Sequence, residues 1–295
     1  MIEHDANSAD ISAQLDAIQS SMPIRIMDFE IEPDLVKKAL PEIFPAYGIS
    51  MTLPYLEPYL VRTMREALKH CTDPKVAQQV RQFIGQEAQH YRQHSVLNDM
   101  IRNISPELEG LRDIEKQLEA DYQRFTKTKS LKFNLAYAEG FEAATFAGGR
   151  LNFQNKVFDR LESIKGSGLL QLFLWHALEE VEHHAVTFNI YDHLYGDYLY
   201  RLVAGTYGQY HFFKYVFLFT KFIAKNAPQA LERGRALWPS QNLTGDWREQ
   251  FSLLREIARV YAPNYDPSKI RLPDNVAHHS KMLVEQARAI RKITA

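Results

Sequence analysis

Two places in the chain set a histidine three residues after a glutamate: Glu87 with His90, and Glu180 with His183. On a helix such residues share a face, so each Glu-x-x-His pair can present an oxygen and a nitrogen to one ion. That donor mixture suits iron, manganese or zinc better than calcium. The spacing alone is weak evidence, because chance supplies about 0.8 such pairs in a chain of this composition. The context carries more. The first pair interrupts an apolar stripe that reads Val76, Val80, Phe83, Glu87, His90, His94, Leu97, Ile101. The second interrupts Leu169, Phe173, His176, Glu180, His183, Thr187, Ile190, Leu194. Ionisable groups in the middle of a core-facing stripe are costly unless they are paired, hydrogen-bonded or bound to metal.

Two further stripes carry one carboxylate each: Glu57 among Leu53, Leu60, Met64 and Leu68, and Glu142 among Leu131, Leu135, Ala138 and Thr145. The order Glu, Glu-x-x-His, Glu, Glu-x-x-His on four successive helices is the ligand order of ferritin-like di-iron carboxylate proteins. The sequence therefore predicts two transition-metal ions, iron foremost with manganese or zinc as alternatives, held by Glu57, Glu87, His90, Glu142, Glu180 and His183. His176 is expected as an additional ligand, with His94 as its rival at the same end of the site, and Glu139 rivals Glu142 on the third helix. Gln86 and Glu179, immediately before the two pairs, are expected to orient the opposite histidines. Glu182 and His184 fall off the stripe and are expected to be solvated; His278 and His279 are given no role.

These residues need long helices to position them. Apolar residues recur three and four apart between Asp73 and Leu199, and Pro and Gly breakers divide the chain into helices near 53–71, 74–103, 106–126, 129–162, 168–195, 198–225, 246–261 and 274–292. This predicts an all-α fold: a ferritin-like four-helix bundle over about 50–197, a crossover helix, and C-terminal helices over 198–295. Residues 1–24 read as a mobile tail, with an extended arm around Pro23 to Pro45, and 25–295 as a single domain.

Composition excludes several classes. Across 295 residues, 45% apolar content supports a packed core, and 35 basic against 36 acidic side chains lack the basic footprint of a nucleic-acid binder. Cys71 is the single cysteine, so no internal disulfide can form, which suits a reducing compartment. Glu3, Asp5, Asp10 and Asp16 stand where a signal peptide needs an apolar core, and a cytoplasmic location is expected. The aromatic helix from Leu199 to Lys225 is interrupted by Arg201, Lys214 and Lys221, so no transmembrane segment is expected.

The segments Gln86–His94 (QEAQHYRQH), Glu139–Phe146 (EGFEAATF) and Trp175–Val186 (WHALEEVEHHAV) resemble a bacterial family of predicted metal-dependent hydrolases in the ferritin-like superfamily, over roughly residues 25–285. The run His176, Glu180, His183 is also similar to the His-x-x-x-Glu-x-x-His of di-iron arylamine N-oxygenases. The chain departs from the first family's usual Glu-His-Phe after the third-helix carboxylate, where it has Ala143 and Ala144.

A carboxylate-held metal pair suits O2 chemistry, so the leading expectation is an O2-dependent oxidase or oxygenase acting on a small apolar or aromatic substrate and drawing on an electron donor. The alternative is a hydrolase with a metal-activated water, and a further one is a non-catalytic iron-binding protein. Ala138, Ala143, Ala144, Ala147, Gly148 and Gly149 surround Glu142 with small side chains, which serves either a cavity or close helix packing. Tyr207, Tyr210, Phe213 and Phe217 share one face, expected to wall the substrate's entry; peripheral membrane contact or a homodimer interface are the alternatives.

Overall fold

The computed structural model describes residues 22–227 and 247–293, and every regular element among them is helical. The helices are α1 (Pro33–Ser50), α2 (Leu53–Leu68), α3 (Pro74–Arg102), α4 (Leu111–Thr128), α5 (Leu131–Gln154), α6 (Gly168–Glu182), α7 (Val186–Leu194), α8 (Tyr198–Asn226), α9 (Trp247–Arg259) and α10 (Asn275–Ile293). Their starts are chemically marked. Asp73 accepts from the N–H groups of Lys75 and Val76, Ser130 from Phe133, Ser167 from Leu170 and Asp197 from Tyr200, satisfying donors that the first turn leaves unpaired.

The structure departs from the sequence expectation in three places. The arm expected to be extended as far as Pro45 is extended only to Glu32, because Pro33 sits in the first helical turn, where a missing N–H costs nothing. The resulting helix α1 kinks at Ile43 (φ −120°), two residues before Pro45, which removes a hydrogen bond and crowds the preceding turn. The 129–162 helix stops at Gln154 and gives way to two short 3-10 turns. The 168–195 helix breaks after Glu182, where His183 takes φ −95° and ψ 7°, and restarts as α7. Residues 1–21 of the expected tail lie outside the described residues.

Helices α2, α3, α5 and the α6–α7 pair pack around one interior, with α1 and α8 laid against α3 and α5 from outside. A polar chain from Tyr137 through His211 to Asp121 (2.9 and 3.2 Å) ties α5, α8 and α4 together beside the stacked rings of Tyr59 and Tyr122. Helices α5 and α8 meet at backbone distance. A Cβ at Gly140 would lie 2.3 Å from the Gly205 carbonyl oxygen, and one at Gly208 would lie 2.8 Å from that of Tyr137. Since backbone cannot rotate away as a side chain can, Gly140→Ala should destabilise the fold by about 1–3 kcal/mol or more. Urea denaturation with both midpoint and slope measured checks this; an unchanged midpoint would mean the two helices separate freely. No helix of the described residues is long and apolar enough to cross a membrane.

Candidate metal centre

Four helices bring six donors to one place: Glu57 from α2, Glu87 and His90 from α3, Glu142 from α5, and Glu180 with His183 from the end of α6. None is more than 4% exposed. His183 Nδ1 lies 3.4 Å from Glu87 Oε1, and its Nε2 lies 3.5 Å from both Glu142 Oε2 and Glu180 Oε1. His90 Nδ1 lies 3.5 Å from Glu87 Oε1 and 3.9 Å from Glu180 Oε1. The donors form three overlapping groups, each with its ligand atoms within 4.8 Å of one another: Glu57, His90, His176; Glu87, His90, Glu180; and Glu87, Glu142, His183. Glu87 and His90 each belong to two of them.

The donors fit a metal. Both oxygens of Glu57, Glu87 and Glu142, Oε2 of Glu180, Nδ1 of His90 and both nitrogens of His183 are buried with no hydrogen-bond partner. Buried polar atoms are almost always satisfied, so a cluster of orphans on carboxylates and imidazoles calls for a cation. Burial, then the neighbouring carboxylates Glu87 and Glu180, push the Glu57 carboxyl well above its usual range. Glu142 is raised in the same way, by burial and then by Glu180, Glu87 and Glu57. Among the described residues, no lysine or arginine is among the charges acting on either. Oxygen and imidazole donors without sulfur suit iron, manganese or zinc.

Around this group the tested positions separate. Glu179 Oε2 lies 3.1 Å from His90 Nε2, on the histidine of the opposite pair, while its Oε1 accepts from Trp175 Nε1 (2.8 Å) and Arg25 (2.9 Å). Gln86 makes no such contact. It donates to the Pro23 carbonyl (3.2 Å) and to Glu182 (3.1 Å), because both nitrogens of His183 are turned to Glu87, Glu142 and Glu180. Glu139, the rival on α5, is bonded to Arg201 of α8 at 2.7 Å and takes no part in the donor groups. Burial raises its carboxyl to about 7 against the pull of Arg201. His176 joins Glu57 and His90, with Nε2 3.2 Å from Glu180 Oε1. His94 stands behind it, its Nε2 2.9 Å from His176 Nδ1 and its Nδ1 2.9 Å from Ser50 Oγ.

The expectation that Glu182 and His184 are solvated is wrong: they are 2% and 3% exposed. The ring of His184 lies between the carbonyls of Val181 (2.6 Å) and Pro267 (3.1 Å). Glu182 accepts from Arg25 at 2.6 and 2.8 Å and from Ser280 at 3.0 Å. Arg25 itself was missed by sequence reasoning. It is 1% exposed, and its guanidinium joins Glu179, Glu182 and Ser280. The available signal was alternation, since Arg25, Met27 and Phe29 turn inward while Ile24, Ile26 and Asp28 do not.

A cavity of about 210 Å³ abuts the His94, His176 and Glu180 side of the centre, walled by α1, α5 and α6 and reaching α8 at Phe212 and Phe213. Of the aromatic face expected to wall an entry, only Phe213 lines it. Tyr207, Tyr210 and Phe217 are 38%, 65% and 42% exposed and stand apart, because α8 touches the cavity over a single turn.

No curated protein and no solved structure matches the chain. A protein-family model described as predicted metal-dependent hydrolase matches residues 37–271, a span that holds every donor named above. With most of its length matched, the chain belongs to that predicted metal-dependent hydrolase family.

Proposed function

We propose that the chain binds two transition-metal ions, iron first among them, in a ferritin-like arrangement of four helices, and uses them to oxidise a small apolar molecule with O2. The observation that carries this is the set of three overlapping and largely buried donor groups, two of them sharing Glu87, beside an apolar cavity. Such a metal pair, when bound, supplies redox chemistry toward O2 that no side chain offers. Glu57, His90, His176 and Glu180 would serve one ion, Glu142 and His183 the other, with Glu87 between them. Glu179 fixes the His90 ring by its Nε2, which leaves Nδ1 directed at the donors. The largely apolar walls leave few polar groups to hold water beside whatever the cavity binds. An external electron donor completes the turnover.

The family description favours a different reading, hydrolysis by a metal-activated water. Bound metal ions would themselves supply both the activated water and the Lewis acid for that reaction, so the absence of lysine and arginine from the cavity lining does not weigh against it. Anaerobic loading with Fe(II) followed by O2 separates the two. O2 uptake with transient optical bands is the expected result. Turnover of aryl esters or phosphoesters by the manganese or zinc form, with no O2 uptake by the iron form, would establish hydrolysis instead; iron accumulating far beyond two per chain would mark a storage protein.

A further inference from the structure

Two adjacent glycines on α5 differ in what their missing side chains do. A Cβ at Gly149 would lie 3.1 Å from the Ala177 carbonyl oxygen and 3.3 Å from Val181 Cγ2, so this glycine lets α5 and α6 approach. A Cβ at Gly148 would meet nothing within 4 Å, and Gly148 lines the 210 Å³ cavity. The small-residue run around Glu142 therefore serves helix packing at one position and open space at the next.

The wall around that space is apolar, with Leu53, Leu161, Phe173 and Phe212 on different sides. Its polar members are Ser50, His94, Thr145, Asn152, His176 and Glu180. Ser50 is engaged with His94 and Asn98. Glu180 Oε2 is buried and has no partner. The four carboxylates Glu57, Glu87, Glu142 and Glu180 would offset two divalent ions, and the lining has no lysine or arginine, so an anion entering the cavity loses its hydration and finds no net countercharge. Volume sets the second limit. An apolar cavity of about 150 Å³ accommodates benzene, so this one has room for a substituted single ring or a compact bicycle.

We propose that this cavity is the substrate chamber, that it selects neutral molecules of one or two rings, and that Gly148 sets the size limit. The identification of its occupant as substrate rests on the di-metal reading above; the binding itself does not. Calorimetric titration of the full-length protein with 2-naphthol and with 2-naphthoate tests it without turnover. 2-Naphthol should bind at least tenfold more tightly than the anionic 2-naphthoate. Gly148→Leu, whose side chain enters the chamber, should weaken 2-naphthol at least tenfold while helicity and metal content match the wild type. Gly148→Ala provides the same comparison with a smaller loss should the leucine variant fold poorly. The proposal is overturned if 2-naphthol does not bind the wild type, if 2-naphthoate binds as well, or if both variants bind 2-naphthol unchanged. A failure of the O2 chemistry would leave these affinities as they are, and a failure here would leave metal content and O2 uptake untouched.

Discussion

Glu87→Ala should strip the centre of metal while leaving the helices in place. Its carboxylate belongs to two of the three donor groups, so its removal weakens both halves at once. Loss of an outer partner of a metal ligand already costs about 10–100-fold in affinity, and loss of a shared inner donor should exceed about 100-fold on the same scale. The fold should tolerate the change. Both oxygens of Glu87 lack hydrogen-bond partners, so alanine breaks no hydrogen bond, and removing one of four crowded carboxylates relieves repulsion in the metal-free protein. Glu180→Ala should behave alike. Glu139→Ala is the control: its carboxylate faces Arg201, and its variant should keep its metal. Elemental analysis beside far-ultraviolet circular dichroism reads all three. Retention of full metal by both Glu87→Ala and Glu180→Ala would sink the proposed centre.

Arg25→Met should be the most damaging single change outside the donors. The guanidinium binds Glu182 with two nitrogens and Glu179 with one, all three groups being buried. Burial works against its charge, but Glu182 and then Glu179 more than compensate and hold its pKa above the ordinary value. Removing one partner of a buried ion pair leaves the other charge uncompensated, at about 3–5 kcal/mol, and here two carboxylates are left. The damage should also reach the metal. Glu179, freed on one side, no longer fixes the His90 ring, so metal affinity should fall by about 10–100-fold. Arg25→Lys should restore only part, since one ammonium cannot reproduce the planar fork that engages both carboxylates and Ser280. Denaturant midpoints and competitive metal titration check the two effects separately. Wild-type stability in Arg25→Met would show that the strap from Met22 to Glu32 is incidental.

What the sequence determined by itself was the order of carboxylates and imidazoles on the core-facing stripes and most of the helix ends. Both are local. A carboxylate on an apolar stripe is visible from a 3.6-residue period, and Asp73, Ser130, Ser167 and Asp197 mark helix starts through bonds to backbone only two or three residues away. The tertiary structure decided the rest. Glu139 and Glu142 lie three apart on one helix and are equally plausible by spacing; Arg201, reaching Glu139 from α8, separates them. Glu182 looks solvated by periodicity and is buried because Arg25 reaches it across 157 positions of the chain. Gly148 and Gly149 are identical in composition and differ only in whether the α6 backbone stands opposite. Each of these outcomes depends on which partner a distant segment supplies. A buried charge or a missing side chain has no periodicity that names its neighbour, so local spacing revealed the candidate donors while only packing distinguished their surroundings.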